Sequence, residues 1–190
     1  MAIFSCRSGN GRAESAMRFC LVFFVFVFSA LSARAETAQT AFSEAIDLFE
    51  AALPNLPAEM VSVDIATYRD ALTLRQFRSA YWGGSISLDV AEAGEGAERS
   101  CKDFAAFVRL PPQDGKLVLT LCPQFSTPGA DALRRLTIIH EMVHVVAGPD
   151  ECRAMAFAAR VEEAATGTFT PVDRYWAANN CAASAFSLPR

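Results

Sequence analysis

The chain has 190 residues, 52% of them hydrophobic and 20% charged, with a formal net charge of −4 at pH 7. That length is enough for one domain with a packed core. The acidic balance excludes the basic surface that a nucleic-acid binder needs.

At the N-terminus, Arg7, Arg12 and Arg18 precede the apolar run Phe19–Phe28, and Ala33-Arg34-Ala35 follows it. A positive segment, a short apolar core and an Ala-x-Ala site together predict a secretory signal peptide over residues 1–35, cut after Ala35. The run is shorter than the ~20 residues a membrane span requires, so no membrane attachment is expected after cleavage. Met17, directly before Arg18 and the apolar core, is a second candidate start beside Met1. Residues 36–190 are then expected to form a single secreted or periplasmic domain. Four of the 17 basic and one of the 21 acidic residues lie in 1–35, which takes the mature net charge to −7.

Removing the signal also removes Cys6 and Cys20 and leaves Cys101, Cys122, Cys152 and Cys181. An even number of cysteines in an exported protein points to two disulfides. Three pairings are open. Cys101–Cys122, flanking one hairpin, with Cys152–Cys181, joining two C-terminal helices, is preferred. No Cys-x-x-Cys spacing favours thiolate ligation of a metal.

Along the mature chain, Phe42, Ile46, Phe49 and Leu53 recur at helical spacing until Pro54. Asn55–Met60 reads as a loop. Val61 and Val63 alternate like a strand, and Ala71–Trp82 looks helical, with Arg75 and Arg78 exposed, until Gly83-Gly84. Ile86, Leu88 and Val90 alternate with polar residues, as in a half-buried strand, and Ala91–Arg99 has the makeup of an exposed loop. Phe104–Leu110 and Lys116–Leu121, joined by Pro111-Pro112-Gln113-Asp114-Gly115, predict a β-hairpin. Asp131 can cap a helix over about 132–147, stopped by Gly148-Pro149. A second helix is expected from Asp150 to about Ala165, and a last one from Val172 to about Ser184.

Both histidines of the chain fall in the first of these three helices, as His140-Glu141-Met142-Val143-His144. Positions i and i+4 share a helix face, so the two imidazoles can grip one metal ion. A catalytic zinc site takes three protein ligands and leaves a fourth position open, and Glu141 stands where a general base for water is needed. An amphipathic helix burying Ile138, Ile139, Met142, Val143 and Val146 is the competing reading.

The third ligand has several candidates. Glu151, seven residues after His144, opens a Glu-x-x-Ala run whose small residue one turn later lets two helices approach closely. Asp150 lies six residues after His144, at metzincin-like spacing, but the glycine of that pattern is displaced to Gly148. Glu162 and Glu163 lie near the longer thermolysin-like spacing. Glu151 is preferred. Tyr175 is the first choice as an oxyanion donor, although core or rim packing is the preferred reading of it. Asp173 is a possible partner for an imidazole, although an ordinary helix-start aspartate is the preferred reading.

The run LTIIHEMVH with the preceding KLVLTLCPQF resembles the zincin metallopeptidases, and its strand-Cys-Pro-x-Phe-helix order looks like the deuterolysin group, the aspzincins. The Gly-Thr-x-Asp segment that supplies the aspartate ligand in that group is missing. Glu151, Ala154, Phe157 and Ala158 are instead similar to the short gluzincins. The resemblance implies an α+β, zincin-like fold: a small antiparallel or mixed sheet, an active-site helix and C-terminal helices. It implies Zn2+ held by His140, His144 and Glu151, with Glu141 as catalytic base. It also implies an edge strand, Lys116–Leu121 or Ile86–Val90, that holds peptide by strand addition.

The expectation is therefore an exported zinc-dependent peptidase acting on peptide or protein substrates. Two alternatives come from other classes: a zinc-binding exported module without turnover, and a metal-free disulfide-stabilised exported domain.

Overall fold

A computed structural model describes residues 37–94 and 99–190. The expected signal peptide, residues 1–35, lies outside the described residues, as do positions 95–98 of the loop after the half-buried strand.

A first helix, α1, covers residues 37–52 and buries Phe42 and Phe49. A two-residue turn then joins β1 (Glu59–Met60) to β2 (Val63–Asp64). Asp64 caps α2 (Ile65–Leu74) by accepting from the Thr67 N–H. Arg75, in the left-handed conformation at φ 54°, ends that helix. This corrects the helix expected over Ala71–Trp82. Helix α2 starts earlier, and Gln76–Ser79 is a strand, β3, with Phe77 and Ser79 buried and their neighbours exposed. That burial has the period of two that belongs to a strand.

The main sheet runs in the order β3-β4-β6-β5, with β4 at Gly84–Glu92, β5 at Ala106–Gln113 and β6 at Lys116–Leu121. β5 and β6 form the expected hairpin around Asp114-Gly115, whereas β6 lies parallel to β4. The sheet is mixed and the fold α+β, as expected. Both strands proposed as the substrate-holding edge, Lys116–Leu121 and Ile86–Val90, are interior. The hairpin folds back on the far side of β6, so β5 forms the edge.

Helix α3 (Asp131–Ala147) packs against α2 and β5, and α4 (Glu151–Thr166) packs against α3. Asp131 is not the cap of α3. It sits in the first turn, paired with Arg134. Tyr68 on α2 knits the layers together. Its ring meets Phe49 at 4.9 Å and Phe157 at 4.5 Å, and its hydroxyl donates to the Ile139 carbonyl at 2.8 Å. The expected last helix is shorter than its pattern suggested. α5 covers Asp173–Ala178 and stops before Asn180, which is left-handed at φ 53°. Both disulfides have the preferred pairing, Cys101–Cys122 and Cys152–Cys181. Residues Ala38–Arg190 form one compact unit, and among the described residues no helix is long and apolar enough to cross a membrane.

Candidate metal centre

Helix α3 is buried along most of its length from Leu136 onward, which carries its two histidines into the interior. Their Nε2 atoms converge to 3.1 Å. His144 Nδ1 faces the Gly148 carbonyl at 2.9 Å. A carbonyl only accepts, so Nδ1 carries the proton and Nε2 of the neutral ring presents a lone pair.

The Gly148-Pro149 turn reverses the chain, and α4 begins with its own cap. Asp150 accepts from the Arg153 N–H at 2.9 Å. That bond occupies Asp150 and leaves Glu151, on the first turn, facing back across α3. Buried Ala154 and Ala158 let the two helices pack closely there. Glu151 Oε2 lies 3.1 Å from His140 Nε2 and 3.5 Å from His144 Nε2.

His140, His144 and Glu151 are the one such group of potential ligands among the described residues. Their fit to a metal is testable on the triangle itself. Tetrahedral ligands at about 2.0–2.1 Å from an ion stand roughly 3.3 Å apart. The observed sides of 3.1, 3.1 and 3.5 Å bracket that spacing. The donor set, two imidazoles and a carboxylate, suits a borderline divalent ion. The other carboxylates considered are engaged elsewhere or stand apart. Glu162 accepts from the Thr170 N–H and hydroxyl at 2.6 and 3.0 Å, and Glu163 is outside the group.

Burial and charge set the protonation of the site. Burial pushes the Glu151 carboxyl up, but hydrogen bonds with His140, His144 and Tyr175 outweigh it and hold Glu151 well below the usual carboxylate range. Burial lowers His140. His144 meets the same penalty, yet Glu151, Glu141 and the Gly148 carbonyl raise it overall. Glu141, 8% exposed, is pushed up to about 8 by burial, even though the Val108 backbone N–H donates to it.

Tyr175 does not stand free as an oxyanion donor. Its hydroxyl donates to Glu151 Oε2 at 2.7 Å. The partner of His144 is the Gly148 carbonyl, not Asp173, and among the described residues His140 Nδ1 has no partner. Sequence reasoning missed the Gly148 carbonyl, the Val108 N–H and the Tyr175–Glu151 bond. Only Gly148 left a signal, as a helix stop.

A cleft of about 580 Å3 reaches the group at His140 and is lined by Glu141 and Tyr175 as well. One wall is the start of β5 with the segment before it, Asp103–Ala106. Leu133, Leu136 and Thr137 line it from α3, and Val172–Tyr175 from the other side. Phe104 and Leu133, on its walls, remain 42% and 57% exposed.

The chain matches no family model, no curated protein and no solved structure. The site therefore has to be read from its own chemistry.

Proposed function

We propose that this protein is an exported zinc-dependent peptidase whose metal is held by His140, His144 and Glu151 and whose general base is Glu141. The observation that carries the reading is the convergence of those three ligand atoms, one of them on His140, which lines an open cleft together with Glu141. Zinc bound there supplies a Lewis acid for the scissile carbonyl and makes a water acidic near neutral pH.

The rest of the mechanism belongs to the chain's own groups. Glu141 accepts the proton of the attacking water on its carboxylate and delivers it to the leaving nitrogen, so that water adds across the C–N bond. That exchange needs an ionised Glu141: burial alone holds its pKa up to about 8, and a divalent cation beside it would favour the carboxylate. The Cys122 N–H donates to the Ala105 carbonyl, and hydrogen-bonded pairs alternate along an antiparallel ladder. By that alternation Ala106 turns its backbone groups, and Val108 its carbonyl, to the free edge of β5, while the Val108 N–H is taken by Glu141. An extended peptide can pair there, with a bulky apolar side chain against Phe104, Leu133 and Leu136. The disulfides support an oxidising compartment.

Incubating the zinc-loaded protein with a denatured substrate protein tests the reading. Cleavage that a chelator stops and that Glu141→Gln abolishes is expected. Zinc binding without cleavage would leave a binding module, and absence of zinc binding would leave a disulfide-stabilised domain.

A further inference from the structure

Two carbonyls at the end of α3 are held by side chains from outside the helix's regular ladder, and one of those side chains comes from a distant turn. The Val145 carbonyl would ordinarily accept from the backbone four residues on, but that residue is Pro149, which has no N–H. The Trp82 indole N–H fills the gap at 2.7 Å. Arg153 takes the Ala147 carbonyl at 2.6 Å, while the Gly148 N–H closes the ladder's last regular bond, to the His144 carbonyl at 3.2 Å.

Gly148 then departs from the helix at φ 84° and ψ −170°, a backbone region essentially reserved for glycine. Its hydrogen-only face is covered by Tyr81: a Cβ built on Gly148 would stand 2.2 Å from the tyrosine hydroxyl oxygen and 2.3 Å from Cζ. In this conformation the Gly148 carbonyl reaches His144 Nδ1 at 2.9 Å. The turn carrying both aromatics is itself ordered, because the Trp82 N–H donates to the buried Ser79 hydroxyl at 2.8 Å and the two rings meet edge to face.

We infer that Tyr81 and Trp82, on the turn between β3 and β4, are positioning residues for the metal centre: they clamp the Val145–Gly148 segment so that the Gly148 carbonyl fixes the tautomer and orientation of His144. The inference rests on the reading of His140, His144 and Glu151 as metal ligands. Neither aromatic lines the cleft or belongs to the ligand group, so their effect passes through Gly148. Partners of ligating histidines typically change metal affinity 10–100-fold when lost.

The test is zinc affinity, measured on the mature protein by competition with a chromophoric chelator, together with the visible spectrum of the cobalt-loaded form. Tyr81→Ala and Trp82→Phe are expected to weaken zinc binding about tenfold or more and to shift the cobalt spectrum. Tyr81→Phe, which keeps the ring over Gly148, and Leu74→Ala, an exposed apolar control, should both match the wild type. Far-UV circular dichroism identifies any variant that has lost its fold. Tyr81 is 54% exposed, so the Tyr81→Ala arm is expected to stay folded and to decide the question alone if Trp82→Phe unfolds. Wild-type affinity and an unchanged cobalt spectrum in folded Tyr81→Ala would overturn the positioning role while leaving the metal centre intact. A wild-type protein that binds neither zinc nor cobalt would overturn the metal reading itself.

Discussion

Tyr175 donates its hydroxyl hydrogen bond to Glu151 Oε2 at 2.7 Å, and that oxygen is the one turned toward both imidazoles. The bond adds a third restraint, from outside α3, to a carboxylate otherwise held, among the described residues, only by the two imidazoles. Tyr175→Phe is therefore expected to weaken zinc binding about tenfold, roughly 1.4 kcal/mol, with little change in fold. Calorimetric titration checks this, and equal affinity in both proteins would show the bond to be idle.

Adjacent carboxylates at the start of α4 have different tasks. Asp150 caps the helix, so Asp150→Ala should cost about 1 kcal/mol in denaturant unfolding and leave one bound zinc per chain. Glu151→Ala should lose the metal under the same dialysis conditions. Metal analysis of the two variants assigns the third ligand, and the reverse pattern would make Asp150 that ligand.

Much of this site was legible before any coordinates. The helical period of Ile138, Ile139, Met142 and Val146, the Gly148-Pro149 stop and the Glu-x-x-Ala run are local signals, and α3 and α4 follow them closely. β3 was not legible as a strand. Phe77 and Ser79 give too short an alternation, and the left-handed Arg75 that separates β3 from α2 has no side-chain signature. The position of β5 at the edge depends on long-range pairing of β4 with β6, which no local pattern encodes. Contacts such as Trp82 to Val145 span 63 residues and arise only when the layers close.

Protonation of Glu141 gives the metal-free protein a characteristic pH dependence. Burial raises its folded pKa from 4.5 to about 8, so between those values the folded state binds more protons than the unfolded state. Its contribution is thus greatest below the unfolded value and falls as pH rises toward the folded one. Glu141→Gln cannot ionise, so in chelator-treated samples it should gain on the wild type between pH 5 and pH 8, by on the order of a few kcal/mol. Thermal unfolding at both pH values measures the gap. A gap that stays constant would contradict a buried, protonated carboxyl.

Each disulfide braces one side of the cleft. Cys152 follows Glu151 directly and joins Cys181 across a separation of 29 residues, while Cys101–Cys122 ties down the segment leading to Phe104. Loops of this size restrict the unfolded chain by about 3–4 kcal/mol. Replacing Cys152 and Cys181 by serine should lower stability by about 3 kcal/mol and weaken zinc binding as well. Replacing Cys101 and Cys122 should raise KM for peptide with metal content unchanged. Denaturant unfolding, metal analysis and steady-state kinetics separate the two effects.

The central claim is that two imidazoles and one carboxylate hold a single ion. X-ray absorption at the zinc edge of the loaded, mature protein tests it most directly. The account predicts one zinc per chain, with the outer-shell scattering of two imidazoles, oxygen completing the first shell and no sulfur. Sulfur in the first shell, or a spectrum without imidazole scattering, would contradict it.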